Sequence, residues 1–473
     1  MRHSKREQFQ RQMNFLRLQF LQQRGLPLSD VLSEGVVAQA LAAAKLRWTD
    51  RIYSPLVTLW VFLGQVLNAD SSCRAAVARL IAHRLSQRQS PCSAETGAYC
   101  QARRRLPLSF FAQVACMVGR ALDARVERRW LWQGRRVYLF DGTTVLMPDT
   151  PPNQAAYPQV YSQQSGLGFP IARIGALISL SCGAIVNLGF CRYAGKDQGE
   201  VSLLRRLWDV LNPGDVLLTD RLMANWLNIR LLQQRGVELV SRLNKANRTA
   251  DFRRGRRLGQ DDHLVRWQKP TSVRSLDRTA YRSLPEFVTV REARIRVAQR
   301  GFRTKVIVVV TTLLDPQQVT KEDLAALYRA RWHNELDLRT IKSTMQMRDL
   351  RCKTPELVHK EIWTHALAYN LIRTIMAQAA HRHGLEPRSI SFKATVQTLA
   401  AFQPLIAYRA RHHAAERFRL YQHLLNTVAT QRVADRPDRY EPRLKKHRRN
   451  HYGWLTKPRA EMKRQMARGV ATI

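Results

Sequence analysis

At 473 residues and 45% hydrophobic side chains, the chain has length for two to four domains and enough apolar mass for real cores. Its 78 Lys and Arg against 36 Asp and Glu leave a formal charge of +42, which favours a polyanionic partner because neutralising phosphates releases their condensed counterions. No apolar run approaches the roughly 18 residues of a membrane span. The N-terminal MRHSKREQFQRQ lacks an apolar signal core, and seven scattered cysteines form no CxxC pair. Free thiols in a cytoplasmic protein with no membrane partner and no structural zinc are expected. Basic scaffold proteins share such a charge, so it points to nucleic acid without pointing to an enzyme.

Residues 1–130 read as a helical, DNA-binding region. Pro27-Leu28-Ser29-Asp30 looks like a helix start before VLSEGVVAQALAAAKL, and SPLVTLWVFLGQVL and CRAAVARLIAHRL carry further helical periodicity. In TGAYCQARRRLPLSFFAQVACMVGRALDARV, the cations Arg103, Arg104 and Arg105 precede an apolar helix and are candidate DNA contacts. An ordinary solvated helical domain would look similar.

Residues 131–380 change texture. RRVYLFDGTTV is strand-like and delivers Asp141 at its end; a loop rich in Pro, Gln and Ser follows (PDTPPNQAAYPQVYSQQSG). IARIGALISLS and AIVNLGFCRY read as a hairpin, and Gly199–Leu211 reads as a helix. DVLLTD is a short buried strand ending on Asp220, MANWLNIRLLQQRG a helix closed by Gly236, and VELVSRLN another strand. Three strands without intervening helices, then alternation, predict an α/β fold with a mixed sheet. Residues 244–317 interrupt it with a basic loop (NKANRTADFRRGRRLGQDD) and then β-hairpins (EFVTVREARIRVAQRGFRTKVIVVVTTLL). Lys196, Asp197 and Glu200 of GKDQGE read most simply as loop and helix-start residues, with contact to the acidic site as the alternative.

The core resumes at YRARWHNELDLRTIK. Read as one helix, at about 100° per residue, it gathers Tyr328, Arg331, Glu335 and Lys342 within roughly 60° of one another. One face thus carries a carboxylate between two cations and a phenol; Trp332 and His333 beside it read as packing residues. Thr354-Pro355-Glu356 starts a long apolar helix. Residues 381–473 add further helices and a basic tail, whose last stretch, 436–473, holds 12 Lys and Arg against 3 Asp and Glu and is expected to be loosely structured.

Two adjacent strands each ending on Asp, with a helical Glu packed across them, would place three carboxylates together. Such a group repels itself unless cations neutralise it, so Asp141, Asp220 and Glu335 are candidate ligands of a divalent metal. Mg²⁺ is expected. Two ions about 4 Å apart can activate a nucleophile and stabilise a leaving 3′ oxygen. Tyr328, Arg331 and Lys342 would then hold the DNA backbone beside them.

Asp141 within FDGTT, Asp220 within LLTDR and the spaced Tyr328, Arg331, Glu335 and Lys342 together resemble the DDE transposases of bacterial insertion sequences. The similarity is to the insertion-sequence-four family, defined by that Tyr-Arg-Glu-Lys signature. TGAYCQARRRLP, PGDVLLTDR and TPELVHKEIWTHALAYNLIR also resemble its segments, so that the likeness covers roughly residues 55–460. It implies an RNase H-like core with a β insertion before the Glu, flanked by helical N- and C-terminal regions. It also implies catalysis by Asp141, Asp220 and Glu335 with two Mg²⁺ ions (Mn²⁺ as substitute), and Arg221 among the DNA contacts. The activity implied is strand cleavage at element ends and 3′-OH transfer into a target. The partners implied are terminal inverted repeats, target DNA and a second copy of the chain in a paired-end complex, nucleoid-associated when bound. Two departures stand out. This chain has Asp220-Arg221-Leu222-Met223 where the family has Asp-Arg-Gly and an aromatic. KVIVVVTTLL lacks the Trp that hairpin-forming relatives place there, and Trp267, elsewhere in the insertion, reads as a packed residue. Readings from other classes are a non-catalytic DNA-binding derivative of such an enzyme and a nuclease lacking strand transfer.

Overall fold

The computed structural model describes residues 34–45, 51–68, 70–86, 88–246, 248–273, 276–296, 306–409, 414–434 and 453–468. Strands β1 (Val137–Leu146), β2 (Ile171–Ser179) and β3 (Ile185–Arg192) form an antiparallel meander. On the other side of β1 lie β4 (Val216–Thr219) and β5 (Glu238–Arg242), both parallel to it. Helices Glu200–Leu207 and Trp226–Gln234 lead into β4 and β5. The order β3-β2-β1-β4-β5 is the RNase H-like mixed sheet expected from the chain order of strands.

The β-rich insertion extends that sheet. Strand β9 (Val306–Thr311) pairs antiparallel with β5, followed by β8 (Phe287–Arg296), β7 (Asp262–Gln268) and β6 (Arg256–Gly259), giving nine strands in one sheet among the described residues. The stretch expected as a basic loop therefore contains a strand. The sequence Gln260-Asp261 closes a tight β6–β7 hairpin, with Asp261 in the left-handed region at φ 55° that Asp tolerates better than most residues.

Side-chain alternation divides the sheet into two faces. Val137 and Leu139 of β1 and Val216 and Leu218 of β4 pack into a large core with helices Pro55–Leu67, Leu108–Ala124 and Pro355–Arg382. Tyr138, Phe140 and Leu217 point the other way, onto Glu200–Leu207 and Trp226–Gln234. The 28-residue helix Pro355–Arg382 starts with proline in its first turn and Glu356 after it, as its sequence suggested. It is enclosed along most of its length, and buries Lys360, Glu361, His365, Asn370 and Arg373 together with its apolar side chains. Asn370 fixes it in place: its Oδ1 accepts from Ile185 N at 2.8 Å, and its Nδ2 donates to Ala115 O and Ile185 O. Gly119 lets helix Leu108–Ala124 approach the start of β3 and Asn370, since a Cβ there would lie 1.9 Å from Ile185 O and 2.6 Å from Asn370 Nδ2.

Helices Glu34–Ala43, Cys73–Ser86 and Gly97–Arg105 complete the described N-terminal part, and Phe392–Arg409 and Ala414–Thr430 the C-terminal part. The helix start at Pro27–Asp30 lies outside the described residues, as does most of the basic tail. Within the tail, residues 453–468 hold the helix Arg459–Ala467, where loose structure was expected. All seven cysteines are free thiols. No helix among the described residues is long and apolar enough to cross a membrane.

Candidate active site

Strand parity brings the two aspartates together. Leu139 pairs with Leu218 across the parallel β1–β4 ladder. Asp141 and Asp220 stand two residues beyond that pair, so both continue onto the face of the large core, Asp220 just past the end of β4 and Asp141 within β1. The sequence reading that ended the strand on Asp141 is thus corrected: β1 continues through Gly142 to Leu146, paired throughout with β2. Ser241 of β5 holds the turn after β4, its Oγ donating to Asp220 O at 2.8 Å. The Asp220 carboxylate accepts from Arg221 N and starts a short 3₁₀ turn.

Glu335 reaches the same edge from a helix, but not from the uninterrupted one its sequence suggests. Helix Lys321–Ala330 begins with a capping box between Thr320 and Asp323. At Arg331 the ladder tightens: Arg331 N bonds Tyr328 O and Asn334 N bonds Arg331 O, both three residues back. Helix Trp332–Arg339 then carries Glu335, and Thr340–Thr344 widens into a π turn holding Lys342. Tyr328, Glu335 and Lys342 thus sit on three successive helical pieces, with Arg331 at the junction of the first two. The two irregularities re-aim the side chains: Arg331 Nη2 lies 2.7 Å from Glu335 Oε1 and its Nη1 3.8 Å from Asp141 Oδ2. Lys342 Nζ donates to Thr143 Oγ1 of β1 at 3.1 Å. Beyond the π turn, Leu146 N bonds Arg348 O and Leu350 N bonds Leu146 O, tying this segment to the end of β1.

The resulting cleft, of about 600 Å³, is lined by Asp141, Thr143, Glu335, Arg339, Lys342 and Arg348 among others. Arg339 and Arg348 were not singled out in the sequence, because their exposure to the cleft depends on the π turn and the strand-like pairing after it. Asp220 stands just past the end of β4 rather than in the cleft wall. Burial pushes the Asp141 carboxyl up to about 6, with the Glu200 and Asp220 charges adding to the rise and the Gly142 N–H and Arg331 opposing it. Burial, with Arg348 alongside, holds the Lys342 ammonium below its ordinary range.

Three carboxylates of hard oxygen donors suit Mg²⁺ or Mn²⁺ by their chemistry. Among the described residues, however, no three acidic, His or Cys groups stand close enough together to hold a metal as they are placed. The guanidinium of Arg331 lies between Asp141 and Glu335 and supplies the neutralising charge. A cation would need it to turn aside.

The raised Asp141 carries a stability consequence. The folded form holds its proton up to about pH 6, whereas an unfolded chain releases it near 3.8. Between those values the folded state binds more protons, so this group's contribution is fully present below 3.8 and is lost as pH rises through 6. Asp141→Asn removes that loss. It is expected to stabilise the cation-free protein by about 1–3 kcal/mol above pH 6, and by nothing near pH 4. Thermal melts across that range measure it, and an equal effect at both ends would show that the aspartate is not strained by burial.

The remaining candidates divide. Tyr328 is half-buried with Arg331 near its ring, 6.0 Å from the centroid, and Arg221 is exposed. Arg104 and Arg105 are exposed at a helix end, but Arg103 is a correction to the sequence reading. It is buried against the rings of Phe62 and Tyr99, and its guanidinium donates to Gln65 Oε1 and Cys73 Sγ, leaving no phosphate within reach. Its helical neighbour Tyr99, four residues back and fully enclosed, marks the inward face. Trp267 is packed, donating to Glu292 Oε1 at 2.7 Å. Glu200 starts its helix as expected, and it also lies close enough to act on Asp141.

A family profile described as "Transposase DDE domain" matches residues 132–371, half of the chain. The transposase InsG of insertion sequence element IS4 from Escherichia coli is 29% identical over 266 residues, covering 55% of this chain and 57% of that protein. The match therefore spans little more than half of the relative's length. The piggyBac transposase synaptic complex with hairpin DNA, solved by cryo-EM, aligns over 88% of this chain and 85% of that one at 9% identity and a TM-score of 0.41. With the family profile spanning strands β1 to β9 and the helix of Glu335, the chain belongs to the DDE transposase family.

Proposed function

We propose that the chain is a cut-and-paste transposase of an insertion sequence, which binds element ends, cleaves them and joins the 3′-OH to target DNA. The observation that carries this reading is the meeting of Asp141 and Asp220 on one face of adjacent parallel strands, with Glu335 linked to Asp141 through Arg331. In this reading Asp141, Asp220 and Glu335 hold the divalent cation. Bound there, it supplies charge stabilisation to the attacking and leaving oxygens of a phosphodiester. Arg331, released from Glu335, and Lys342, Tyr328 and Arg221 hold the phosphate backbone beside the acids. We assign end binding to residues 1–130 with Arg104 and Arg105, catalysis to 131–380 with its insertion at 244–317, and further DNA contacts to 381–473. A homodimer brings two ends together.

The reading of a DNA-binding derivative without catalysis leaves the acids unexplained. Carboxylates beside a phosphate-binding cleft repel phosphate and gain nothing for binding alone. A direct assay separates the readings. Purified protein is incubated with duplexes carrying the inverted repeats that flank its coding region, with Mg²⁺ or Mn²⁺ and a plasmid target. Expected are 3′-OH nicks at the repeat ends and joined products. Binding without nicking in either cation would favour the derivative, and nicking without joining the nuclease.

A further inference from the structure

We propose that Glu200 is a positioning residue for Asp141: seated against the bare Cα of Gly142 and held by Arg173, its carboxylate strengthens the hold of Asp141 on a divalent cation. The proposal rests on the reading of Asp141, Asp220 and Glu335 as the cation-holding acids.

Gly142 follows Asp141 and, by alternation, faces the opposite side of the sheet. A Cβ there would lie 2.7 Å from Glu200 Oε1 and 2.8 Å from its Cγ and Cδ. The backbone at Gly142 is ordinary strand, so this glycine is needed for close approach and not for conformational freedom. Glu200 is the first residue of helix Glu200–Leu207, entered through Gly199, which carries the carboxylate to the middle of β1. Arg173 of β2, paired with Thr144 of β1, donates from Nη1 to Glu200 Oε1 at 2.7 Å. Its Nη2 donates to Tyr193 O at 3.3 Å, and its guanidinium lies over the Tyr193 ring at 5.3 Å. Both side chains are about one-fifth exposed, so the pair is held and largely shielded.

An Arg–Glu pair of this kind could merely fasten a helix to the sheet. What goes further is its position. The carboxylate touches the residue next to Asp141. A fixed negative charge behind Asp141 favours a cation in front of it, and does so without being a ligand.

The test is Mn²⁺ binding to the full chain, followed by electron paramagnetic resonance, together with the Mg²⁺ dependence of end cleavage. Glu200→Gln keeps the shape and the acceptor for Arg173 while removing the charge. It is expected to weaken Mn²⁺ binding by about tenfold and to raise the half-saturating Mg²⁺ concentration similarly, with cation-free DNA affinity and thermal midpoint unchanged. Gly142→Ala, which pushes the carboxylate from its seat, is expected to weaken Mn²⁺ binding to a like extent. The double variant should be no worse than either single one, because both act through the same group. Unchanged Mn²⁺ affinity in a folded Glu200→Gln overturns the proposal and leaves Glu200 as a helix fastening. Asp141→Asn separates the underlying reading: it should lose most Mn²⁺ binding. If it does not, the acid site itself is wrong and the role of Glu200 falls with it.

Discussion

Asp141→Ala, Asp220→Ala and Glu335→Ala are each expected to abolish strand cleavage, by about three orders of magnitude or more, while binding element ends at least as tightly as the unaltered protein. The asymmetry follows from charge. Each carboxylate repels phosphate, so its removal lowers the cost of bringing DNA into a cleft lined by Arg339, Lys342 and Arg348. Glu335→Ala goes one step further, because it frees the Arg331 guanidinium now held at 2.7 Å and makes it available to the backbone. Gel-shift titrations in the absence of cation and cleavage assays in its presence read the two quantities separately. A variant that retains cleavage within about tenfold would remove that residue from the acid set. Weakened binding in all three would instead indicate that the acids shape the cleft more than they serve its chemistry.

Much of this arrangement is legible in the chain because punctuation and polarity coincide. VLLTD ends an apolar strand on Asp followed by a turn, and the strand and helix order around it admits few mixed-sheet topologies. FDGTT reads as a strand end too, but β1 runs on through it to Leu146, because residues 141–146 pair with 171–176 of β2. What stays hidden depends on contacts distant in sequence. Nothing in YRARWHNELDLRTIK announces the tightened turn at Arg331 or the π turn at Thr340–Thr344, since no Pro or Gly marks either. The π turn is tied to pairing of residues 348–350 with the end of β1, some 200 residues earlier in the chain. Likewise Arg103 reads as one of three surface cations, and only its packing against Phe62, 41 positions away, turns it inward. Glu200 reads as a helix start, and its second neighbour, Gly142, belongs to a different motif.

Asp337 is the least expected of these hidden residues, and its loss should rank with that of the acids. Two positions beyond Glu335, it lies about 200° around the helix, on the inward face shared with Asn334, Leu338 and Ile341. There it is 2% exposed and faces two buried guanidinium groups: Arg373 of the long central helix and Arg388, the latter at 2.6 Å. Arg373 is also held by Tyr369 Oη at 2.8 Å and lies near the Tyr369 and Phe392 rings, while Arg388 donates to Ser179 O and Leu180 O beside β2. One carboxylate thus anchors the helix of Glu335 to the central helix and to the sheet. Asp337→Ala strands two buried cations without their counter-charge, and removing one partner of such a group typically costs about 3–5 kcal/mol. Denaturant titration should show a loss of that order. Cleavage measured where the variant remains folded should still fall, because Glu335 is carried by the same turn of helix. A loss under about 1 kcal/mol would mean that the carbonyls and Tyr369 satisfy the two arginines alone, and that the Glu335 helix is placed by its apolar contacts.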